Sequence, residues 1–260
     1  MIIIKSQKEI ELMRRGGKIL AKIMEEIGKE ITPGKNTLEL DKLAERLVFD
    51  NGGEPAFKGY GDKNNPYPAT ICASINNEIV HGIPSKNKII KAGDIIKIDM
   101  GMKYKGMITD MARTFAVGEI SPEARRLLDA TREGLDQGIA KIKAGAKLSE
   151  YSKAVQDHVQ SFGFSPVHDL VGHGVGRILH EDPVIPNYFQ KEAREIILRE
   201  GMTIALEPMI NAGSFGIKLG NDGWTYETED GKLSAHFEDT ILVKKNGCEI
   251  LTRKQKTGGV

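Results

Sequence analysis

The chain has 260 residues, with 37 Lys and Arg against 36 Asp and Glu and a formal net charge of +1. That balance supplies no field for DNA or an acidic lipid surface, and 40% hydrophobic with 28% charged residues is a globular make-up, neither disordered nor fibrous. Two cysteines, Cys72 and Cys248, without any C-x-x-C pair exclude a structural zinc module and argue against a disulfide framework.

Folding a chain of this length buries roughly 70–75% of its unfolded surface, enough for a core without staples. Met1 to Ile4 is far too short for a signal sequence's hydrophobic region, and no run of about 18 apolar residues occurs, so a cytoplasmic protein with no membrane contact is expected. Ser6 followed by Glu9 forms a capping box ahead of Ile10, Met13, Ile19, Ile23 and Ile27, which predicts a helix from about Ser6 to Gly28. Thr32-Pro33-Gly34 breaks it, and a second helix is expected from about Thr37 to Asn51, stopped by Gly52-Gly53. Thr70 to Ile75 and Gly93 to Val117 read as strands, after which Ser121-Pro122 restarts helix to about Lys143.

The chain then repeats itself. Ile31-x-x-Gly34, a helix and Gly53 are echoed by Ile142-x-x-Gly145, a helix and Gly163. Gly93 to Asp99 likewise matches Gly201 to Glu207, each carboxylate falling six residues after its glycine. Ile96 and Ile98, like Ile204 and Leu206, point to one face by the two-residue period, leaving Asp99 and Glu207 on the other. These observations predict one α+β domain over 1–260, built of two αα–ββ halves (about 1–118 and 119–260) that face each other across a carboxylate-lined concavity.

Asp99 to Asp110 reads as a hairpin. A turn at Tyr104-Lys105 sets Asp99 directly opposite Asp110, at Cβ separations of about 4.5–5.5 Å where like charges are unfavourable unless a cation lies between them. A turn displaced by one residue is expected to separate them. Downstream, the alternate glycines of Gly172-His173-Gly174-Val175-Gly176 forbid a stable helix and invite close backbone approach. His173 and His180 are seven residues apart, so a bulge must intervene if both face one cleft. Glu238 lies in an expected strand from Leu233 to Val243, with Phe237 on its other face. Four carboxylates and neutral His173 sum to −4, the charge that two divalent cations balance. The donor set suits Mn, Fe(II), Co or Zn, and paired metals about 3.5–4 Å apart are equipment for hydrolysis.

At these residues the sequence resembles the type I methionine aminopeptidases of the pita-bread metallopeptidase fold, peptidase family M24. The carrying residues are Asn77-Glu78 with His81-Gly82-Ile83-Pro84, the Asp99 and Asp110 pair, Gly172 to Gly176 with His180, Leu206-Glu207-Pro208-Met209, and Glu238. The resemblance implies that Asp99, Asp110, His173, Glu207 and Glu238 hold two metals, Asp110 and Glu238 bridging. It implies hydrogen bonds from His81 and His180 to the scissile peptide, Glu207 as general base, and a methionine pocket of Tyr67, Cys72 and Trp224. The implied reaction is removal of the initiator methionine from nascent polypeptides, before a small second residue, by a monomer.

Three departures bear on this. The sequence shows no zinc-binding amino-terminal extension of the eukaryotic cytosolic kind, and His180 and Glu207, 27 residues apart, leave no room for the helical insertion of type II enzymes, so the resemblance is expected to be to the short bacterial or organellar form. Asp239 stands where the family usually has His, a feature shared with the Xaa-Pro aminopeptidases and dipeptidases of the same fold. Those enzymes normally carry a sizeable amino-terminal domain, whereas the first catalytic helix here starts near Ser6. The Ser214–Glu229 segment, basic and ribosome-facing in some members, carries Glu227 and Glu229, which weakens an expected ribosome contact. A catalytically silent binding homologue would normally have lost ligands, and all five are present. His158 and His168 read as surface or packing residues, Cys248 as an apolar strand residue, and His236 as a partner for a bridging carboxylate.

Overall fold

The structure is a computed structural model that describes residues 1–190 and 195–253; the end of the expected 1–260 domain lies outside the described residues. The order of two helices followed by strands occurs twice. The first run comprises α1 (Gln7–Lys29), α2 (Thr37–Asp50), β1 (Glu54–Pro55), β2 (Cys72–Ile75), β3 (Glu78–Val80), β4 (Ile95–Tyr104) and β5 (Met107–Ala116). The second comprises α3 (Pro122–Ile139), α4 (Leu148–Ser161), β6 (Ser165–Pro166), β7 (Gly172–Gly174), β8 (Glu181–Ile185), β9 (Thr203–Leu206) and β10 (Met209–Asn211). It continues with β11 (Ile217–Leu219), β12 (Tyr226–Thr228), β13 (Ser234–His236), β14 (Glu238–Lys244) and β15 (Gly247–Ile250).

Local chemistry accounts for the helix starts. The Ser6 hydroxyl accepts from the Glu9 N–H at 3.4 Å while Glu9 reaches back to the Ser6 N–H at 2.8 Å, satisfying two donors that an open helix end would strand. The Asn36 and Ser121 side chains each accept one N–H, from Glu39 and Ala124, at the starts of α2 and α3, with Pro122 in the first turn of α3. Helix α3 stops at Ile139 rather than near Lys143, because the backbone tightens into turns in which Lys141 and Ile142 donate to Gly138 and Ile139.

An antiparallel nine-stranded sheet carries the strand path β1-β4-β5-β14-β9-β7-β8, with β2 also on β4 and β15 on β14. Its two sides of helices bury separate cores. Leu20, Ile23, Met24 and Ile27 of α1 pack with Leu40 and Val48 of α2 against Ile96, Ile98 and Met100 of β4. Leu127, Leu135 and Ile139 of α3 pack with Tyr151, Val155 and Val159 of α4 against Ile204, Leu206 and Ile241 of β9 and β14. At about 25 cal/mol per Å2 of apolar area, these faces supply the main drive for docking the helices. The buried Lys97 ammonium donates to the Asn76 carbonyl at 2.7 Å and the Ser234 carbonyl at 3.0 Å, tying the β2–β3 turn to β13.

Two expectations are corrected. The β4–β5 turn sits at Lys105-Gly106, so Asp99 pairs with Ala112 and Asp110 with Gly101. The turn is displaced by one residue, yet the two aspartates remain on one face, because each partner moves by two residues and parity is preserved. The expected single strand from Leu233 to Val243 is two. Residues before Phe237 pair with β10 in a three-stranded sheet, and residues after it join the large sheet between β5 and β9.

Candidate metal centre and substrate cavity

Register alone brings five side chains to one face of the large sheet. Ala112 of β5 lies opposite both Asp99 of β4 and Glu238 of β14, and Asp110 is two residues along from it. On the other side His173 of β7 pairs with Ala205 of β9, which also pairs with Thr240 of β14. Thr240 shares the face of Glu238, and Glu207 that of Ala205, by the two-residue period. Cys72 pairs with Asp99 and joins the same face.

The approach of β7 to this face requires its glycines. A Cβ on Gly172 would stand 2.5 Å from the Ala205 carbonyl oxygen, and one on Gly174 2.1 Å from that of Asp182. A register shift between His173 and Gly174 supplies the expected bulge, and the chain turns through Val175–His180, so the His173 and His180 rings meet edge-on at 4.3 Å.

Asp110, His173 and Glu238 each present one ligand atom, all within 4.8 Å of one another. Glu207 Oε1 lies 3.4 Å from His173 Nε2. Asp99 Oδ1, Asp110 Oδ1 and Glu238 Oε1 are buried without a hydrogen-bond partner among the described residues. Buried oxygens normally find donors; three orphaned carboxylate oxygens converging here fit a cation. Burial, and then the neighbouring carboxylates, push Asp99, Glu207 and Glu238 well above the usual carboxylate range, and burial raises Asp110 to about 7. Burial lowers His173 to about 3, leaving it a neutral imidazole. Its Nδ1 lies 2.9 Å from the Gly174 carbonyl, which can only accept, so Nδ1 carries the proton and the Nε2 lone pair is free as a ligand.

These groups floor a cavity of about 630 Å3 that His81, His180, Tyr67, Cys72 and Trp224 also line. His81 follows β3 with φ of 58°, an uncommon conformation for a side chain of this size, and burial lowers its pKa to about 4. Tyr67 and Trp224 meet edge to face at 5.2 Å. The Tyr67 hydroxyl is directed at the Ile71 and Gly82 carbonyls, and burial pushes the Cys72 thiol up, so both walls are neutral. Sequence reasoning missed Phe57, Tyr60, Leu179 and Met209 of the lining; Phe57 and Tyr60 share a glycine-rich loop with Tyr67, the one local signal they gave.

Two further expectations change, and that for His158 and His168 does not. His236 Nε2 approaches Glu207 Oε2 at 3.5 Å without a hydrogen bond among the described residues, so the carboxylate it faces is Glu207 rather than Glu238, because β13 leaves the large sheet before Glu238. Asp239 faces away from the cavity. Fully buried, it accepts from Arg113 Nη2 at 2.7 Å, Arg253 Nε at 2.6 Å and Thr252 Oγ1 at 2.9 Å, so its identity carries no information about the substrate. His158 lies 3.5 Å from Glu133, and His168 is stacked between Tyr188 and Phe215; neither lines the cavity.

The model of metallopeptidase family M24 matches residues 11–245. Methionine aminopeptidase 1 of Bacillus subtilis is 47% identical over 255 residues, which cover 97% of this chain and 100% of that protein. The crystal structure of a methionine aminopeptidase from Thermotoga maritima superposes with a TM-score of 0.93 at 44% identity, covering 98% of this chain and 100% of that one. The prolidase of Pyrococcus furiosus superposes with a TM-score of 0.78 at 27% identity, with 98% of this chain covered but 66% of the prolidase.

Proposed function

The chain belongs to metallopeptidase family M24 and has its pita-bread fold, and on that premise we propose that it is a methionine aminopeptidase that removes the N-terminal methionine of nascent polypeptides before a small second residue. The observation that carries this reading is the arrival of Asp99, Asp110, His173, Glu207 and Glu238 on one sheet face beneath an aromatic and thiol-walled cavity. Near full-length likeness to methionine aminopeptidases supports it.

The family uses divalent metal. In this reading Asp99, Asp110, His173, Glu207 and Glu238 would hold two divalent ions, and Mn, Fe(II), Co and Zn all suit the donors. When bound, the ions lower the pKa of a water and balance charge that develops on the scissile carbonyl oxygen. Glu207 takes a proton from that water on its carboxylate and returns it to the departing amine. His81 and His180 donate N–H groups to the scissile peptide. Tyr67, Cys72 and Trp224 receive the thioether by dispersion and sulfur–aromatic contact; Trp224→Ala should raise KM for a methionyl peptide roughly tenfold with a smaller change in kcat. The two αα–ββ runs form one domain in this account, and the enzyme works as a cytoplasmic monomer. No helix among the described residues is long and apolar enough to cross a membrane.

The test is hydrolysis of Met-Gly-Met-Met against Xaa-Pro peptides with added manganese, before and after chelation. Cleavage after methionine, lost with chelator and restored by metal, is the expected result. Preference for Xaa-Pro, or turnover unaffected by chelation, overturns the reading.

A further inference from the structure

We propose that Tyr60 is a positioning residue that fixes the tautomer of His180, holding the proton on Nε2 and presenting that N–H to the cavity. The inference rests on the role given above to His180. The Tyr60 hydroxyl and His180 Nδ1 are hydrogen-bonded, with the rings edge-on at 4.9 Å and 78°. No other hydrogen bond to this imidazole is present among the described residues.

A neutral imidazole carries one proton, and the partner of one nitrogen decides which nitrogen holds it. If the phenol donates to Nδ1, Nε2 must be the N–H. The opposite assignment would turn an Nε2 lone pair, not a donor, toward the cavity whose lining already holds the acceptor oxygens of Asp99, Asp110, Glu207 and Glu238. An N–H is favoured there, and an N–H is what a carbonyl oxygen gaining negative charge requires.

Everything around the pair fixes position but not protonation. Glu181 accepts from the backbone N–H of Arg177 at 2.6 Å and of Ile178 at 3.3 Å, and its carboxylate is ion-paired with Lys5, both side chains 1% exposed. This buried clamp holds the backbone of the His180 loop. Tyr60 is held from the other side, where Gly59 N–H donates to the Tyr67 carbonyl and Tyr67 N–H to the Tyr60 carbonyl, both at 2.8 Å. Gly61 lies so close to Trp224 that a Cβ there would stand 2.6 Å from the indole. The same short ladder thus supports the methionine-side wall and the phenol that orients His180.

The test is Tyr60→Phe, which removes one hydroxyl and keeps the ring. Turnover of Met-Gly-Met-Met should show kcat lowered about tenfold, the size of one neutral hydrogen bond, with KM changed by less than about twofold. Nitrogen-15 NMR of the imidazoles in metal-free protein, with His180 assigned by its loss in His180→Gln, should show Nε2 protonated in the wild type and a tautomer mixture in Tyr60→Phe. An unchanged kcat, or a wild-type His180 protonated on Nδ1, overturns the proposal. If the wild type cleaved no methionyl peptide, the functional reading would fall, while the nitrogen signals would still decide the role of Tyr60.

Discussion

Replacing Asp110 with asparagine should lower methionyl-peptide turnover by roughly 10^3-fold or more and, in the same protein, raise the thermal stability of the metal-free state at pH 8. The two effects have one origin. Asp110 is buried beside Asp99, Glu207 and Glu238, and burial raises its pKa from 3.8 to about 7. Between those values the folded protein keeps a proton that the unfolded chain has released. The stabilisation is therefore fully present below about pH 4 and lost as pH rises through about 7. The other three carboxylates, also raised, extend the loss upward. Each pH unit of separation corresponds to about 1.4 kcal/mol, so an amide that carries no charge should recover a few kcal/mol at pH 8 and little at pH 4. Manganese should stabilise the wild type increasingly with pH, because protons compete with the ion for these carboxylates and that competition fades as pH rises, and should stabilise Asp110→Asn far less. Melting with chelator and with manganese between pH 5 and 8, beside kcat/KM, checks this. A variant that melts lower than the wild type at pH 8 without metal would refute the account.

What the sequence revealed about this site is what depends on local period. The facing of Asp99 and Asp110 survived a misplaced turn because a strand face depends on parity, and a one-residue shift of the turn moves each partner by two. The capping residues Ser6, Asn36 and Ser121 act through atoms three positions away, and so the helix starts could be read or nearly read from neighbours. The break at Phe237 could not: alternation runs unchanged through Leu233 to Val243, and the switch between sheets is decided by β10 on one side and β5 and β9 on the other. Tyr60 was invisible for the same reason, since its partner lies 120 residues away. Asp239 was read through likeness to relatives as a hint of proline specificity, although its parity with Glu238 already turned it from the cavity.

Truncating Asp239 to alanine should accordingly destabilise the fold and leave substrate preference alone. The carboxylate is fully buried and binds two guanidinium groups, which are 21% and 31% exposed. Breaking a buried pair typically costs about 3–5 kcal/mol because a charge is stranded; here water can reach both arginines, so about 2–4 kcal/mol is expected. For a chain of this size that lowers Tm by roughly 5–15 °C. Arg113 also donates from Nη1 to the Glu238 carbonyl at 2.5 Å and to that of Ala112 at 2.8 Å, so loosening it should cost some turnover through the position of Glu238. Asp239→Asn keeps the volume and one acceptor and should lose less. Both variants should still prefer Met-Gly-Met-Met over Xaa-Pro peptides, because the altered side chain lies on the sheet face opposite Asp99, Asp110, His173, Glu207 and Glu238. A near-native Tm for Asp239→Ala would deny the buried node its structural weight, and a gain of Xaa-Pro cleavage in either variant would return Asp239 to the substrate side of the sheet.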